Sequence, residues 1–558
     1  MKRQNQISEE IFSTKKIIIF LSGIIFISLC LKLHTIDFSL VVNSDGLAYL
    51  LNGIAHVNGD FSQHPHRSVG WDLVLTPFFS LIDTNEIIVY SNISRIVSIS
   101  ISLVCIILVF FLGKKFFNEK YSLIAAGLYA FEPHLNYNSG LGLSEPLFHL
   151  LTLTSLIFLF KDKSKFIIIS LGLAALVWWT RFNGISIVLI IILIYFLVNK
   201  KDIKFFRNLF IGIVLFLIVI SPILIERNNQ FGDPLYFSYS NSVFSGSYEE
   251  MISIQSKNNS TDTIGFIQEN GILKFIDTFF VNGLFNVIST LTRILFPYLI
   301  ILFPIGIFFS LRAFDQEKKY VKINWLIIIF SCLSLILTFS IISEKRYLYF
   351  LFPFIIIFSV IPIQRLIEYG FSTFSFTKKQ KDVALTIIII LILFTSIWFT
   401  MRYDKPDLEL ENEKMQFAIF VRDNLSGVMQ REMGYSFDYY SQVLIDNPKG
   451  NFKNCKVNFV SDYCGINEDG ILYRLVVTGN SVEELVENGR EYNLKYILSN
   501  ESKDDIEFHG FLDEIYFKEN EYPFLEKIYD SENEGFIKLK FKIFEINYEK
   551  FDEMNREE

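Results

Sequence analysis

Acidic and cationic side chains stand at the ends of apolar segments in this chain, and several have the chemistry of a transfer site. Asp45, in NSDGLAYLLNGIAHVNGD, lies about ten residues past the first long apolar run. A carboxylate there can take a proton from a hydroxyl or cap a helix, and its position alone fits both roles. Glu145, in LGLSEPLFHL, follows Ser144, a residue suited to an N-cap, and precedes Pro146, which the first helical turn tolerates. It is either a helix-stabilising charge or the partner of a cation. Arg181, in WWTRFNG, joins two short apolar stretches, so it needs a carboxylate partner such as Glu145 or a route to the headgroups. Arg227, in ERNNQFGDPLYFS, and Lys345 with Arg346, in SEKRYLYFLFP, repeat the pattern beside Glu226 and Glu344. Phosphate is the anion that such a set suits, since Arg offers a bidentate fork and Lys a point charge. His64 and His66, in QHPHRS, are further substrate-binding candidates, although with His56 and His134 they match no standard zinc spacing.

The elements that must position these residues are membrane helices. Of 558 residues 51% are hydrophobic, with 59 Phe, which excludes an ordinary soluble enzyme. Runs such as IIIFLSGIIFISLCLKL are long enough for about 30 Å of hydrocarbon. The first run lacks a small-residue cleavage site and reads as a retained helix. Segments near 17–34, 92–113, 121–135, 144–160, 166–180, 184–198, 208–225, 287–311, 323–342, 347–363 and 383–400 predict about eleven transmembrane helices. The positive-inside rule agrees with this number. Lys2, Arg3, Lys15 and Lys16, then Lys114–Lys120, Lys161–Lys165, Lys200–Arg207, Arg312–Lys322 and Arg365–Lys381 alternate with the remaining loops. The N-terminus is therefore expected in the cytoplasm, and the outer loops 35–91 and 227–286 outside, with every candidate residue named above. Within the first outer loop Leu47, Leu50, Leu51, Ile54 and Ala55 share a helical face, which predicts a helix in the membrane interface, and Trp71–Leu81 predicts a second.

From Lys405 onward roughly 33 acidic residues face 18 basic ones, so the membrane part is net basic and the tail acidic, a balance that argues against nucleic acid. The expected division is a membrane domain over 1–402 and a soluble α/β domain over 403–558. Ser481 with Glu484 predicts a capping box opening a helix to about Glu491, and LKYILSN predicts a strand. Ile537, Leu539, Phe541 and Ile543 alternate with lysines as in a half-buried strand. Cys30, Cys105 and Cys332 lie in apolar helices, whereas Cys455 and Cys464 could pair in an oxidising compartment.

In order along the chain, SDGLAYLLNGIA, LSEPLF, TRFNG, RNNQFGDPLYFS and KRYLYFLFP resemble the C-type glycosyltransferase superfamily, in its protein O-mannosyltransferase-like and aminoarabinose-transferase-like branch. WWTRFNG is distinct from the WWDYG motif of oligosaccharyltransferases: it lacks the acidic residue and sits in the membrane part. The resemblance implies a polyprenyl or dolichyl phosphate sugar donor entering from the bilayer and a hydroxyl acceptor on protein, glycan or lipid outside the cytoplasm. It implies an inverting hexosyl transfer with Asp45 as base, the cations on the leaving phosphate and Glu145 orienting Arg181 or touching the sugar. A divalent ion bridging Asp45 and the lipid phosphate is one expectation, but several members carry paired acidic residues where Gly46 follows Asp45 here, a departure that counts against a metal-binding role and leaves the acceptor open. The expected location is the plasma membrane. A multi-helix transporter and a membrane scaffold with an extracytoplasmic binding domain are the alternatives, although no two-fold repeat supports the first.

Overall fold

The structure is a computed structural model that describes residues 13–42, 44–63, 67–84, 86–161, 163–199, 204–236, 243–244, 251, 263–311, 318–402, 407–430, 457–458, 463–464, 472–501 and 509–557. The membrane part opens with α1 (Thr14–His34), followed by α2 (Ser44–Val57) and α3 (Gly70–Phe79) in the loop that leads to the next long helix. Then come α4 (Ile87–Gly113), α5 (Glu119–Ala130), α6 (Pro133–Ser139), α7 (Glu145–Leu159), α8 (Phe166–Thr180), α9 (Ile185–Asn199) and α10 (Phe205–Phe231). After the long connection that follows α10 the chain continues through α11 (Ile272–Ile294), α12 (Leu299–Ser310) and α13 (Lys318–Phe339). A 3-10 turn over Lys345–Leu351 leads into α14 (Phe352–Arg365), and α15 (Lys378–Thr400) closes the membrane part.

Among the described residues seven helical runs are long and apolar enough to cross a bilayer, and α7, α8, α9 and α12 are shorter apolar helices. Two expected spans are divided. The span at 121–135 breaks after α5 because Glu132 caps a new helix, its Oε2 accepting from the Leu135 amide at 2.7 Å, with Pro133 in the first turn. The span at 287–311 is the end of α11 and all of α12, separated where Pro297 supplies no backbone donor. Tyr298 in that break donates to the Leu128 carbonyl at 2.8 Å, which ties the junction to α5.

Loops expected on one side of the bilayer meet at one end of the bundle. Lys120 pairs with Asp382 at 2.7 Å, Tyr121 donates to Glu368 at 2.7 Å, and Asn208 donates to Ser164 at 2.8 Å. At the other end, Arg95 of α4 donates to the carbonyls of Asp37, Leu40 and Val41, fixing the segment that leads to α2. Helix α2 does not lie with one face toward lipid. Besides its apolar stripe, Ala48, Asn52 and His56 are also buried, because α3, α4 and a short ladder from the tail cover it. That ladder pairs Val457–Asn458 antiparallel with Tyr463–Cys464. Cys455, the other half of the considered disulfide, lies outside the described residues, as do positions 403–406 at the expected domain boundary.

The tail is an α/β unit. Helix α16 (Leu408–Asn424) precedes β1 (Gly427–Gln430), β2 (Leu472–Leu475), α17 (Val482–Arg490), β3 (Leu494–Asn500), α18 (Leu512–Phe517), β4 (Leu525–Asp530), β5 (Phe541–Ile546) and α19 (Tyr548–Glu557). The sheet order is β2-β1-β3-β5-β4, with β1 parallel to β2 and β3, and β5 antiparallel to β3 and β4. Phe417, Tyr496, Leu498 and Ile543 fill one face, and Leu485, Ile497, Ile515 and Phe544 the other. Ser481 caps α17 by accepting from the Glu484 amide at 3.2 Å. The last strand starts later than its alternation predicts. Glu413 captures the amides of Ile537, Lys538 and Leu539 at 2.8, 2.9 and 2.7 Å, so these residues bind a carboxylate instead of a ladder.

Candidate active site

Four chain segments converge at the end of the bundle opposite the lysine-rich loops. The first is the start of α2, where Asp45 stands inside the first turn and not at the cap. The second is the start of α7. Gly142 holds φ at +70°, a left-handed conformation that glycine adopts without strain. Its carbonyl accepts from Trp71 Nε1 of α3 and from Ser94 Oγ of α4, each at 2.9 Å, and this aims Glu145 into the site. Ser144 makes no capping bond; its hydroxyl lies 3.4 Å from that of Tyr49. The third is the end of α8 with Arg181, and the fourth is the 3-10 turn with Arg346.

Their side chains form one ionic cluster. Arg346 spans both carboxylates, with Nη2 3.0 Å from Asp45 Oδ2 and Nη1 3.6 Å from Glu145 Oε1, while Nε lies 3.3 Å from Glu344. Arg181 donates to Glu145 Oε1 at 2.6 Å and stacks 5.0 Å above the Tyr347 ring. Arg67, a residue that the sequence reading did not single out, donates to the Asp45 backbone carbonyl at 3.0 Å and to Oδ1 at 3.3 Å, and lies 5.5 Å over Tyr49. The one available signal was that Arg67 is another basic residue in a loop expected outside, the feature that marked Arg227 and Lys345. The Asp45 side chain is 41% exposed and that of Glu145 3%, so a solute reaches the first carboxylate while the second is walled in. Burial works against ionisation of Asp45, but Arg67 and Arg346 outweigh it and hold the carboxyl below the usual carboxylate range. Asp72, in α3, is the opposite case: burial pushes it well above that range.

Other expected site residues stand apart from the cluster. Arg227 is fully buried, donating to the Tyr236 carbonyl and lying 3.4 Å from Gln63 Oε1, between the rings of Phe182 at 4.8 Å and Phe231 at 5.2 Å. It braces the C-terminal end of α10. Lys345 is exposed beside Arg346 and makes no ion pair among the described residues. His64 and His66 lie outside the described residues. A divalent ion fits the described donors poorly. Both oxygens of Asp45 face guanidinium groups, Glu145 faces two, and no group of three or more His, Cys, Asp or Glu side chains gathers among the described residues. A second acidic residue beside Asp45 has no room. A Cβ at Gly46 would stand 2.9 Å from Val42 Cβ and 3.1 Å from the Leu141 carbonyl oxygen.

Comparison with known proteins places this geometry. Residues 74–225, from within α3 through most of α10, match the family described as dolichyl-phosphate-mannose-protein mannosyltransferase. The oligosaccharyltransferase of Archaeoglobus fulgidus in the apo form is similar in structure, with a TM-score of 0.57 at 10% identity over 88% of this chain and 70% of that one. The archaeal oligosaccharyltransferase AglB from Archaeoglobus fulgidus, in complex with an inhibitory peptide and a dolichol-phosphate, gives 0.54 at 11% identity over 88% and 70%. ArnT from Cupriavidus metallidurans, bound to undecaprenyl phosphate, gives 0.52 at 10% identity over 96% and 98%. No curated protein sequence matches the chain. The resemblance is thus borne out, by a matched family segment that contains LSEPLF and TRFNG and by the fold.

Proposed function

We propose that this chain, an integral membrane protein with the C-type glycosyltransferase fold, moves a sugar from a polyprenyl- or dolichyl-phosphate donor to an extracytoplasmic hydroxyl acceptor, with inversion at the anomeric carbon. In this reading residues 1–402 form the transfer domain, and residues 403–558 form a soluble domain on the acceptor side. The carrying observation is the partly exposed Asp45 carboxylate braced by two arginines, one of which also reaches the walled-in Glu145. Two of the similar solved structures hold a lipid phosphate, which supports the donor class.

The donor phosphate competes with Asp45 for Arg346. Once the guanidinium turns to the phosphate, Oδ2 is released to accept from the acceptor hydroxyl, and the carboxylate regains basicity. The acceptor oxygen then bonds to the anomeric carbon while the bond from that carbon to the phosphate oxygen breaks. The electron pair stays with the lipid phosphate, and the hydroxyl proton passes to Asp45. Arg346 and Lys345, which makes no ion pair among the described residues, stabilise the charge that grows on the leaving group. Arg181 and Tyr347 hold Glu145 and the turn in place, and Arg227 keeps the outer end of α10 braced.

Purified protein in lipid nanodiscs, supplied with a radiolabelled polyprenyl-phosphate sugar, tests the class of function. Acceptor-dependent release of polyprenyl phosphate is the expected result. Donor binding or movement without release would assign the chain to transport or scaffolding.

A further inference from the structure

Asp45 and Tyr49 stand one turn apart on α2, so both side chains rise from the same face of the helix. A helical side chain covers the turn that precedes it, which lays the Tyr49 ring along the turn that carries Asp45. The ring itself is fixed. It packs against the apolar cluster that contains Val42, Trp71 and Leu147, and its hydroxyl lies 3.4 Å from Ser144 Oγ at the start of α7. Arg67, from the loop between α2 and α3, crosses this face. Its Nη1 donates to the Asp45 backbone carbonyl at 3.0 Å, its Nη2 donates to Oδ1 at 3.3 Å, and its guanidinium carbon stands 5.5 Å from the centre of the Tyr49 ring. Only 15% of the Arg67 side chain is exposed, and a shielded cation is held by a ring more strongly than one in open water.

The other arginine on Asp45 is held differently. Arg346 contacts the carboxylates of Asp45, Glu145 and Glu344 and lies over no aromatic ring among the described residues. An anion that draws it away replaces one kind of contact with the same kind, whereas Arg67 has a ring and a backbone carbonyl besides its carboxylate contact. We propose that Tyr49 is a positioning residue for the transfer step: its ring is the platform that keeps Arg67 on Asp45 Oδ1 while Arg346 turns to the donor phosphate, leaving Oδ2 aimed at the acceptor. The proposal rests on the lipid-phosphate-sugar reading and adds to it which arginine stays with the base and what holds it there. Were Arg67 to leave as well, burial would act unopposed on the carboxylate, which would take up a proton and cease to be a base.

The test reads the Asp45 carboxyl itself. Full-length protein in nanodiscs is titrated by infrared difference spectroscopy against its Asp45→Asn form, with and without saturating bare polyprenyl phosphate. Removing the ring in Tyr49→Met is expected to raise the Asp45 midpoint by about one pH unit in both conditions, as Arg67→Gln does. Tyr49→Phe, which keeps the ring, should titrate where wild type does, and adding Tyr49→Met to Arg67→Gln should move the midpoint no further than Arg67→Gln alone. Should Tyr49→Met fail to fold, Tyr49→Leu carries the test. A midpoint that stays in place without the ring, a Tyr49→Phe that shifts as far as Tyr49→Met, or two shifts that simply add would each overturn the platform. A wild type whose midpoint does not respond to polyprenyl phosphate refutes the donor reading, while the lipid-free comparison still decides whether Tyr49 holds Arg67 on Asp45.

Discussion

A carboxylate that accepts from two guanidinium groups is a weak base in the free protein, and Asp45 is held in that state by Arg67 and Arg346. Its depressed pKa means that the ionised form is complete at ordinary carboxylate pH and is lost only as pH falls through the lowered value. The acid limb of kcat/KM should therefore lie below the usual aspartate range. In Arg67→Gln it should move to higher pH, while an unmoved limb would detach Asp45 from the titration that governs turnover. Glu145 belongs to stability as much as to chemistry. With 3% of its side chain exposed and Arg181 at 2.6 Å, Arg181→Met should cost about 3–5 kcal/mol in detergent unfolding, since the carboxylate keeps only the longer contact to Arg346. A loss under about 1 kcal/mol would show that Arg346 alone supports it. Asp45, Glu145, Arg181 and Arg346 were legible as separate residues because each is a charge at the end of an apolar run. Arg67 was not, because its link to Asp45 is made by a loop whose path no periodicity specifies.

At the scale of elements, close backbone approach decides the site. Gly142→Ala would place a Cβ 2.9 Å from Val42 Cγ1 and 3.0 Å from Ser94 Oγ at a φ of +70°, and the left-handed strain alone costs about 1–2 kcal/mol. It should lower both thermal stability and transfer, because the same turn aims Glu145; full activity with unchanged unfolding would contradict the geometry. Helix lengths and the α17 cap were readable from apolar periodicity and from Ser481 with Glu484. The packing of α2 was not. Its stripe of Leu47, Leu50, Leu51 and Ile54 suggests one apolar face, yet small residues let neighbours close on every side, as at Gly53, where a Cβ would meet the Phe79 ring at 2.9 Å. The onset of β5 was likewise hidden, because Glu413, which captures the preceding amides, is remote in sequence.

For the whole molecule, alternation of basic loops anticipated which helix ends meet. Lys120 with Asp382 joins two loops assigned to one side, and Asp45 with Arg346 joins two assigned to the other. Which side faces the cytoplasm is a proposal that labelling can check. A cysteine replacing exposed Lys345 should react in intact cells with a membrane-impermeant maleimide, and one replacing Lys114 only after lysis; the reverse pattern would invert the protein in the bilayer.

The most direct test of sugar transfer through Asp45 is a single-turnover measurement of wild type against Asp45→Asn, with lipid donor bound to saturation. Loss of a general base predicts a chemical step slower by about 10²- to 10⁴-fold, with donor affinity and protein level retained. A step within a few-fold of wild type would contradict the account.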